Sequence, residues 1–416
     1  MISTSRLDSG LVVVTECMPD VRSVTAGFWV GTGSRDEEPH QAGVSHFLEH
    51  LLFKGTSRRT ARQIAEDVDS VGGDMNAFTT KEYTAFYVRV LADALPLGLD
   101  ILSDIMWDPA FQASEVEAER QVILEEILMH NDEPADLVHE VFAAALYPGH
   151  PLGRDVLGTE ATIEPMSAAE IRRFFAGHYR PANMVLAAAG DLDHDDFVAA
   201  VESRFQGPEG GRAPARRPPV AVPRDMAVVR RMTEQAHVVL GAPGPDRHSD
   251  DRFAFTILNH CVGGGLSSRL FQAIREERGL AYSVYSYRSS FADAGNIGVY
   301  AGTAPGRAAE VIDVMTEEVD RLVADGISDR ELAVAKGHLR GETALALEDS
   351  AARMSRIGRS QLLHGSVLTV EELAARFAAV TADEVGDVAR RTLGDRRVLA
   401  VVGPFDEDAF GASVVA

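Results

Sequence analysis

Two histidines and one glutamate carry the chemistry this sequence announces first. In VSHFLEHLLFKGT, residues 44–56, His46 and His50 stand four apart with Glu49 between them. On a helix that spacing puts both imidazoles on one face, one turn apart. Two imidazoles so placed can hold one Zn2+. Glu49 is three residues from His46 and adjacent to His50, so it reaches the same side without being needed as a ligand. Its carboxylate is left to accept a proton from water. The pattern H-x-x-E-H inverts the commoner H-E-x-x-H, and its chemistry is metal-assisted hydrolysis. The plainer reading is an amphipathic helix that happens to carry histidines. Against it, Phe47, Leu48, Leu51, Leu52 and Phe53 make the segment strongly apolar. Buried His and Glu must find partners, and a metal supplies them.

Such a site needs a third protein ligand and an open position for water. A helix read over 115–130 offers Glu117, Glu119, Glu125 and Glu126. Glu119 and Glu126 are seven apart, two turns, and share a face. The residues alone leave the choice among the four open.

The elements that must position these groups read as a duplicated α+β chain. Residues 206–224, QGPEGGRAPARRPPVAVPR, are punctuated so densely by Gly and Pro that neither helix nor sheet can continue. They divide the chain into a domain over 1–205, a linker over 206–224 and a domain over 225–416. The ends of the two halves match. MSAAEIRRFFAGHYRPANMVLAAAGDLD and VTADEVGDVARRTLGDRRVLAVVGPFD each open on a capping box, Ser167 with Glu170 and Thr381 with Glu384. Each continues as a helix and ends in an apolar strand followed by Gly. The offset is 214 residues at the start, as expected of a repeat. Strands are expected at 11–14, 24–30 and 83–90. Helices are expected at 60–71 with a Thr60–Gln63 box, 93–106, 114–130 with Ser114 and Glu117 as its box, 135–146, 308–324 and 328–350. This mixture implies sheets packed under helices. At an offset of 210, His46, Glu49 and His50 fall on Thr256, Asn259 and His260. The second half keeps one histidine, so one zinc per chain is expected.

Composition excludes several classes. The 416 residues suit two domains of about 200 residues. No apolar run approaches the ~18 residues of a membrane span, and no membrane partner is expected. The N-terminus has no basic region leading into a signal core, which points to the cytoplasm. A net charge of −23 repels phosphate backbones and argues against nucleic acid, while suiting basic peptides. Cys17 and Cys261 are too few for a thiolate zinc site and read as two reduced thiols.

Three segments, HFLEHLLFKGT, GGDMNAFTTKEYTAFY and EAERQVILEEI, resemble the pitrilysin/insulinase family of zinc peptidases. The likeness is to the β subunit of mitochondrial processing peptidase and its bacterial relatives, and runs from near Val12 to the C-terminus. It implies two duplicated domains, each a mostly antiparallel sheet packed with helices, closing as a clamshell over peptide substrates. It implies Glu126, 76 residues after His50, as third ligand, with Glu119 supporting the site. It assigns Glu49 as general base, and Asn76 to hydrogen-bonding the substrate main chain. Arg275 and Tyr282, in RLFQAIREERGLAYSVYS, match the pair that stabilises the reacting carbonyl oxygen.

The glycine run Gly263, Gly264 and Gly265 stands at the head of a helix and tempts a phosphate-loop reading. It lacks the Lys and spacing of one. It resembles instead the loop that the processing peptidase α subunit uses on substrates. One chain thus combines features split between two subunits, as in bacterial members that work as homodimers. Asp136 and Glu140 match two acidic residues that recognise a basic residue before the cut, and Phe53 an apolar contact after it. The expected function is a zinc endopeptidase of peptides or presequence-like segments. The rivals are a non-catalytic subunit of a heteromeric complex and a dedicated peptide maturase.

Overall fold

The structure, a computed structural model, describes residues 1–204 and 207–411. Phe205 and Gln206, where the first domain was expected to end and the linker to begin, lie outside the described residues, as do 412–416. The described part of the linker, 207–224, contains neither helix nor strand.

Two sheets organise the chain. The first comprises β1 (Ile2–Arg6), β2 (Val12–Cys17), β3 (Ser23–Val30), β4 (Asp74–Thr79), β5 (Thr84–Leu91) and β6 (Met184–Gly190). Their order is β1-β2-β6-β3-β5-β4. The second comprises β7 (Met226–Arg230), β8 (Ala236–Pro243), β9 (Ala281–Ser290), β10 (Gly295–Thr303) and β11 (Val398–Gly403), in the order β7-β11-β8-β10-β9. In each sheet one pair is parallel, β2 with β6 and β7 with β11, and the rest are antiparallel. Apart from β1, the orders superimpose strand for strand. The α+β class and the repeat expected from the sequence are both present.

The helices follow their local signals closely. Thr60 caps Ala61–Ser70 in a box with Gln63, and Ser167 and Thr381 cap Ala168–His178 and Ala382–Leu393 in the same way. Two expectations shift. The helix Ala113–Asn131 starts early enough to enclose Ser114, and Glu117 accepts from Arg120 and Gln121 instead of capping. The helix expected over 328–350 is two helices, Asp329–Ala346 and Ser350–His364. The first ends at Ala346, and Asp349 caps the second, accepting from the backbone of Ala351 and Ala352.

By contacts the chain forms two compact units, each built from three segments of sequence. The first holds Met1–Ile127, Asp155–Arg216 and Ala344–Leu368. The second holds Leu128–Arg154, Arg217–Thr343 and the chain from Thr369 onward. A single cut at 206–224 does not separate them, because each unit takes a segment from the far half. In the first, Ser350–His364 covers one face of the sheet. Trp29 donates to Met354 Sδ at 3.2 Å, and Arg353 pairs with the buried Glu16 at 2.7 Å. Gly358 lies under the Trp29 indole, where a Cβ would come within 2.3 Å of its nitrogen. In the second, Pro134–Leu146 covers the sheet, packing Val138, Phe142, Ala145 and Leu146 on Val239, Val398, Ala400 and Val402. Phe142 fits because Gly241 has no side chain. With both faces covered, β6 and β11 are buried along their whole length. No helix of the described residues is long and apolar enough to cross a membrane. Both cysteines are free, Cys17 exposed and Cys261 buried.

Candidate metal centre

The helix Val44–Leu51 is held at its start by an acid. Gly43 enters it at a φ of 95°, a left-handed conformation suited to glycine. The Glu37 carboxylate accepts from the backbone N–H of Gly43 and Ser45, each at 2.8 Å, satisfying donors the helix leaves open. Val44, Phe47, Leu48 and Leu51 sink into the core of the first unit. Their burial fixes the rotation of the helix, and the rotation aims His46 and His50.

The second element is the helix Ala113–Asn131. Val116, Glu119, Ile123 and Ile127 form its buried face. From it Glu126 Oε2 stands 3.6 Å from His46 Nε2 and 3.6 Å from His50 Nε2. These separations are too long for hydrogen bonds. They are close to the roughly 3.3–3.5 Å that donors about 2.0–2.1 Å from one tetrahedral ion keep between them. One ligand atom from each of the three residues lies within 4.8 Å of the others, and this is the one such cluster of three among the described residues. The two rings meet at 4.7 Å and 69°, so their in-plane lone pairs can converge.

Protonation suits the same reading. His46 is 6% exposed, and burial, with His50 adding to it, pushes its pKa down to about 4. It is neutral near pH 7, as a metal ligand must be. Its Nδ1 is buried with no hydrogen-bond partner. His50 Nδ1 lies 3.1 Å from Glu119 Oε2, and Lys54 Nζ 2.7 Å from Glu119 Oε1. With Nδ1–H donating to the carboxylate, the lone pair falls on Nε2, on the Glu126 side. The fourfold ambiguity among glutamates is thus divided by geometry: Glu126 faces both Nε2 atoms and Glu119 faces Nδ1.

Glu49 sits between these groups. Burial pushes its carboxyl up, opposed by hydrogen bonds from Thr79 and the nearby His50, with Glu126 adding to the rise. Thr79 escaped the sequence reading. It ends β4, and strand parity puts it on the side of Ala77, which belongs to the core that holds the helix. That alternation was the available signal. Asn76 lies on the same strand, one of the sheet's two outer ones, with Oδ1 accepting from Ala77 N–H at 2.8 Å. Phe53 packs on Phe86 at 6.0 Å.

The remaining candidates belong to the second unit. The Arg275 guanidinium lies over the Tyr282 ring at 4.4 Å and over Phe271 at 4.9 Å. Tyr282 is 81% exposed. Asp136 and Glu140 are on Pro134–Leu146. Gly263 ends the helix Arg252–Gly263, and Gly264 and Gly265 follow it, so the run closes one helix instead of heading the next. The three glycines, with His260, Phe271, Tyr285 and His338, line a cavity of about 500 Å³.

Comparison with known proteins bears on this geometry. The family model for insulinase (peptidase family M16) matches residues 12–160, and that for the peptidase M16 inactive domain matches 165–339. A protein of Streptomyces coelicolor named "uncharacterized zinc protease" is 46% identical over 98% of this chain and 90% of its own length. One so named from Mycobacterium tuberculosis is 46% identical, covering 96% and 92%, and one from Bacillus subtilis 39%, covering 97% and 98%. A peptidase M16 inactive domain from Pseudomonas fluorescens has the same fold, with a TM-score of 0.91 at 21% identity over 98% of each chain. So does a protease from Helicobacter pylori, with a TM-score of 0.91 at 22% identity over 97% and 99%. The names of the relatives support a metallopeptidase. With relatives this close matching nearly end to end, the chain belongs to the insulinase family of peptidases, family M16.

Proposed function

We propose that this chain is a zinc-dependent endopeptidase that cuts peptides or presequence-like segments, with a preference for basic residues near the cut. The observation that carries the reading is the convergence of His46 Nε2, His50 Nε2 and Glu126 Oε2 beside the half-buried Glu49. These three residues would hold one ion. A zinc ion there supplies Lewis-acid chemistry, polarising a carbonyl and acidifying water. Glu49 takes the proton of the attacking water and returns it to the leaving amine. Thr79 holds the Glu49 carboxylate, and Glu119 holds the His50 ring. The outer strand β4, bearing Asn76, offers unpaired backbone groups to an extended peptide. Arg275 and Tyr282 act as oxyanion donors, supported by the stacking that keeps cation and phenol side by side. Asp136 and Glu140 attract the basic residue, and Phe53, with the run Gly263 to Gly265, contacts the substrate. A homodimer in the cytoplasm completes the proposal and rests on the sequence reading.

The test is zinc content and hydrolysis of a mixed peptide library by the purified chain. Glu49→Gln is expected to keep one zinc and to lose roughly 10²–10⁴-fold in kcat. His50→Ala is expected to lose both zinc and hydrolysis. Activity retained by zinc-replete Glu49→Gln would remove the assignment of the base. A wild type that binds zinc yet cuts nothing until another protein is added would favour the non-catalytic subunit. Light scattering on the same sample reads the oligomer.

A further inference from the structure

The second unit carries a cluster of phenols and imidazoles that none of the roles above uses. On the outer strand β9, Tyr285 and Tyr287 are two apart and share a face. Tyr300, on β10, is the cross-strand partner of Tyr285, and their rings stack at 4.8 Å and 29°. His139, on Pro134–Leu146, lies between the hydroxyls of both strand tyrosines. Its Nε2 is 2.9 Å from Tyr285 Oη and its Nδ1 3.1 Å from Tyr287 Oη. The Tyr300 hydroxyl is in turn 2.9 Å from His237 Nδ1. Every phenol in the group therefore has its hydroxyl tied and its ring held.

Only one of these rings reaches well out of the protein. Tyr300 is 5% exposed and Tyr285 39%. Asp136 stands one turn before His139 on the same helix face. After burial, its field is what raises the Tyr285 hydroxyl, and it also reaches Tyr300 and His139. Glu133 adds to the negative field at Tyr300 and His237. Glu140 stands differently: one of its carboxylate oxygens is fully buried, and its field falls on Tyr287. The accessible neighbour of Asp136 is thus an aromatic face. His139 is kept neutral by burial and adds no repulsion to a cation.

A fixed phenol ring beside a carboxylate matches one side chain best. The guanidinium is planar, stacks on aromatic faces and accepts a carboxylate in two parallel hydrogen bonds. We propose that Tyr285 is a specificity-determining residue, the exposed face of its ring and the Asp136 carboxylate together binding an arginine side chain of the peptide. This rests on the proposed preference for basic residues and names the group that makes the preference one for arginine.

The experiment uses the full-length chain stripped of metal, so that binding is read without turnover. Two fluorescein-labelled peptides differ only in arginine or citrulline, its neutral isostere, and Kd is measured by fluorescence anisotropy. Wild type is expected to favour arginine. Tyr285→Phe and Tyr285→Leu both lose the hydroxyl tied to His139, so their difference isolates the ring. Phe should keep most of the arginine-to-citrulline ratio, and Leu should lower it roughly 3- to 30-fold. Asp136→Asn should lower it as well. Circular dichroism checks folding, and Tyr285→Gln replaces the Leu variant if that one does not fold. A wild-type ratio of one overturns the basic preference and this inference with it. A ratio kept by Tyr285→Leu but lost by Asp136→Asn overturns the role of Tyr285 and leaves the basic preference standing. Loss in Phe equal to that in Leu also overturns the ring's role.

Discussion

The two units build the same frame and equip it differently. β3 is followed by Val44–Leu51 in the first, and its counterpart β8 by Arg252–Gly263 in the second. The first helix carries His46, Glu49 and His50; the second carries Thr256, Asn259 and His260 at the matching positions. The facing helices correspond too. Glu126 comes 76 residues after His50, and His338, on Asp329–Ala346, 78 after His260. His260 and His338 do meet, with centroids 4.3 Å apart, but their planes are within 26° of parallel. Stacked, nearly parallel imidazoles cannot aim their in-plane lone pairs at one ion, whereas rings at 69° can. Gly265 closes over His260, where a Cβ would lie 2.8 Å from its ring. Duplication therefore preserves where two helices bring side chains together. Whether a metal centre results depends on three donors and on how the rings are turned.

Four changes would break or sharpen this contrast. The largest effect of the four is expected outside the unit that holds His46, His50 and Glu126. Tyr282→Phe should lower kcat roughly 10²–10³-fold with little change in KM, since an oxyanion is fully charged only in the transition state. Steady-state kinetics checks it, and an effect confined to KM would contradict the role. Next comes Glu119→Gln. It removes the carboxylate that orients His50 and should weaken zinc roughly 10–100-fold, read by competition with a chelator. Unchanged affinity would show that the His46–His50 pair needs no such support.

The third change asks whether the second frame can be re-equipped. Thr256→His with His338→Glu restores the missing donor types around His260. A second zinc, bound more weakly than the first, should appear in metal analysis. One zinc per chain in the double variant would mean that backbone placement, and not residue type, sets the units apart. The smallest effect concerns stability. Burial would raise the Glu331 carboxyl, but Arg269 at 2.6 Å and the Ser328 backbone and hydroxyl overcome it, leaving its pKa at about 2. A carboxyl depressed on folding stabilises above its unfolded pKa of about 4.5, and that contribution fades as pH falls toward about 2. Glu331→Gln should therefore cost under about 1 kcal/mol near pH 7, because the pair is partly solvated, and less near pH 2, where the folded carboxyl is half protonated. Denaturant melts at both pH values check it.

Local signals were read from the residues because their causes are local. A histidine pair at i, i+4, a capping box and a Gly/Pro-rich linker each act within a turn or two of chain, and so the H-x-x-E-H helix, three capping boxes and the repeat could be read directly. The break at 347–349 was also local, but Asp349 reads as a cap only if the preceding helix has ended.

What tertiary structure decided lies at long range. The residues left Glu117, Glu119, Glu125 and Glu126 open as partners of the histidines. Burial of Val116, Ile123 and Ile127 set the rotation of their helix, and with it which glutamate meets Nε2 and which Nδ1. The exchange of Ser350–His364 and Pro134–Leu146 had no signature in sequence either. An apolar helix face states that it must be covered, and does not state by which sheet. The sequence by itself determined the donors and the helices that carry them. Only packing between elements 69 or more residues apart determined which donors face one another.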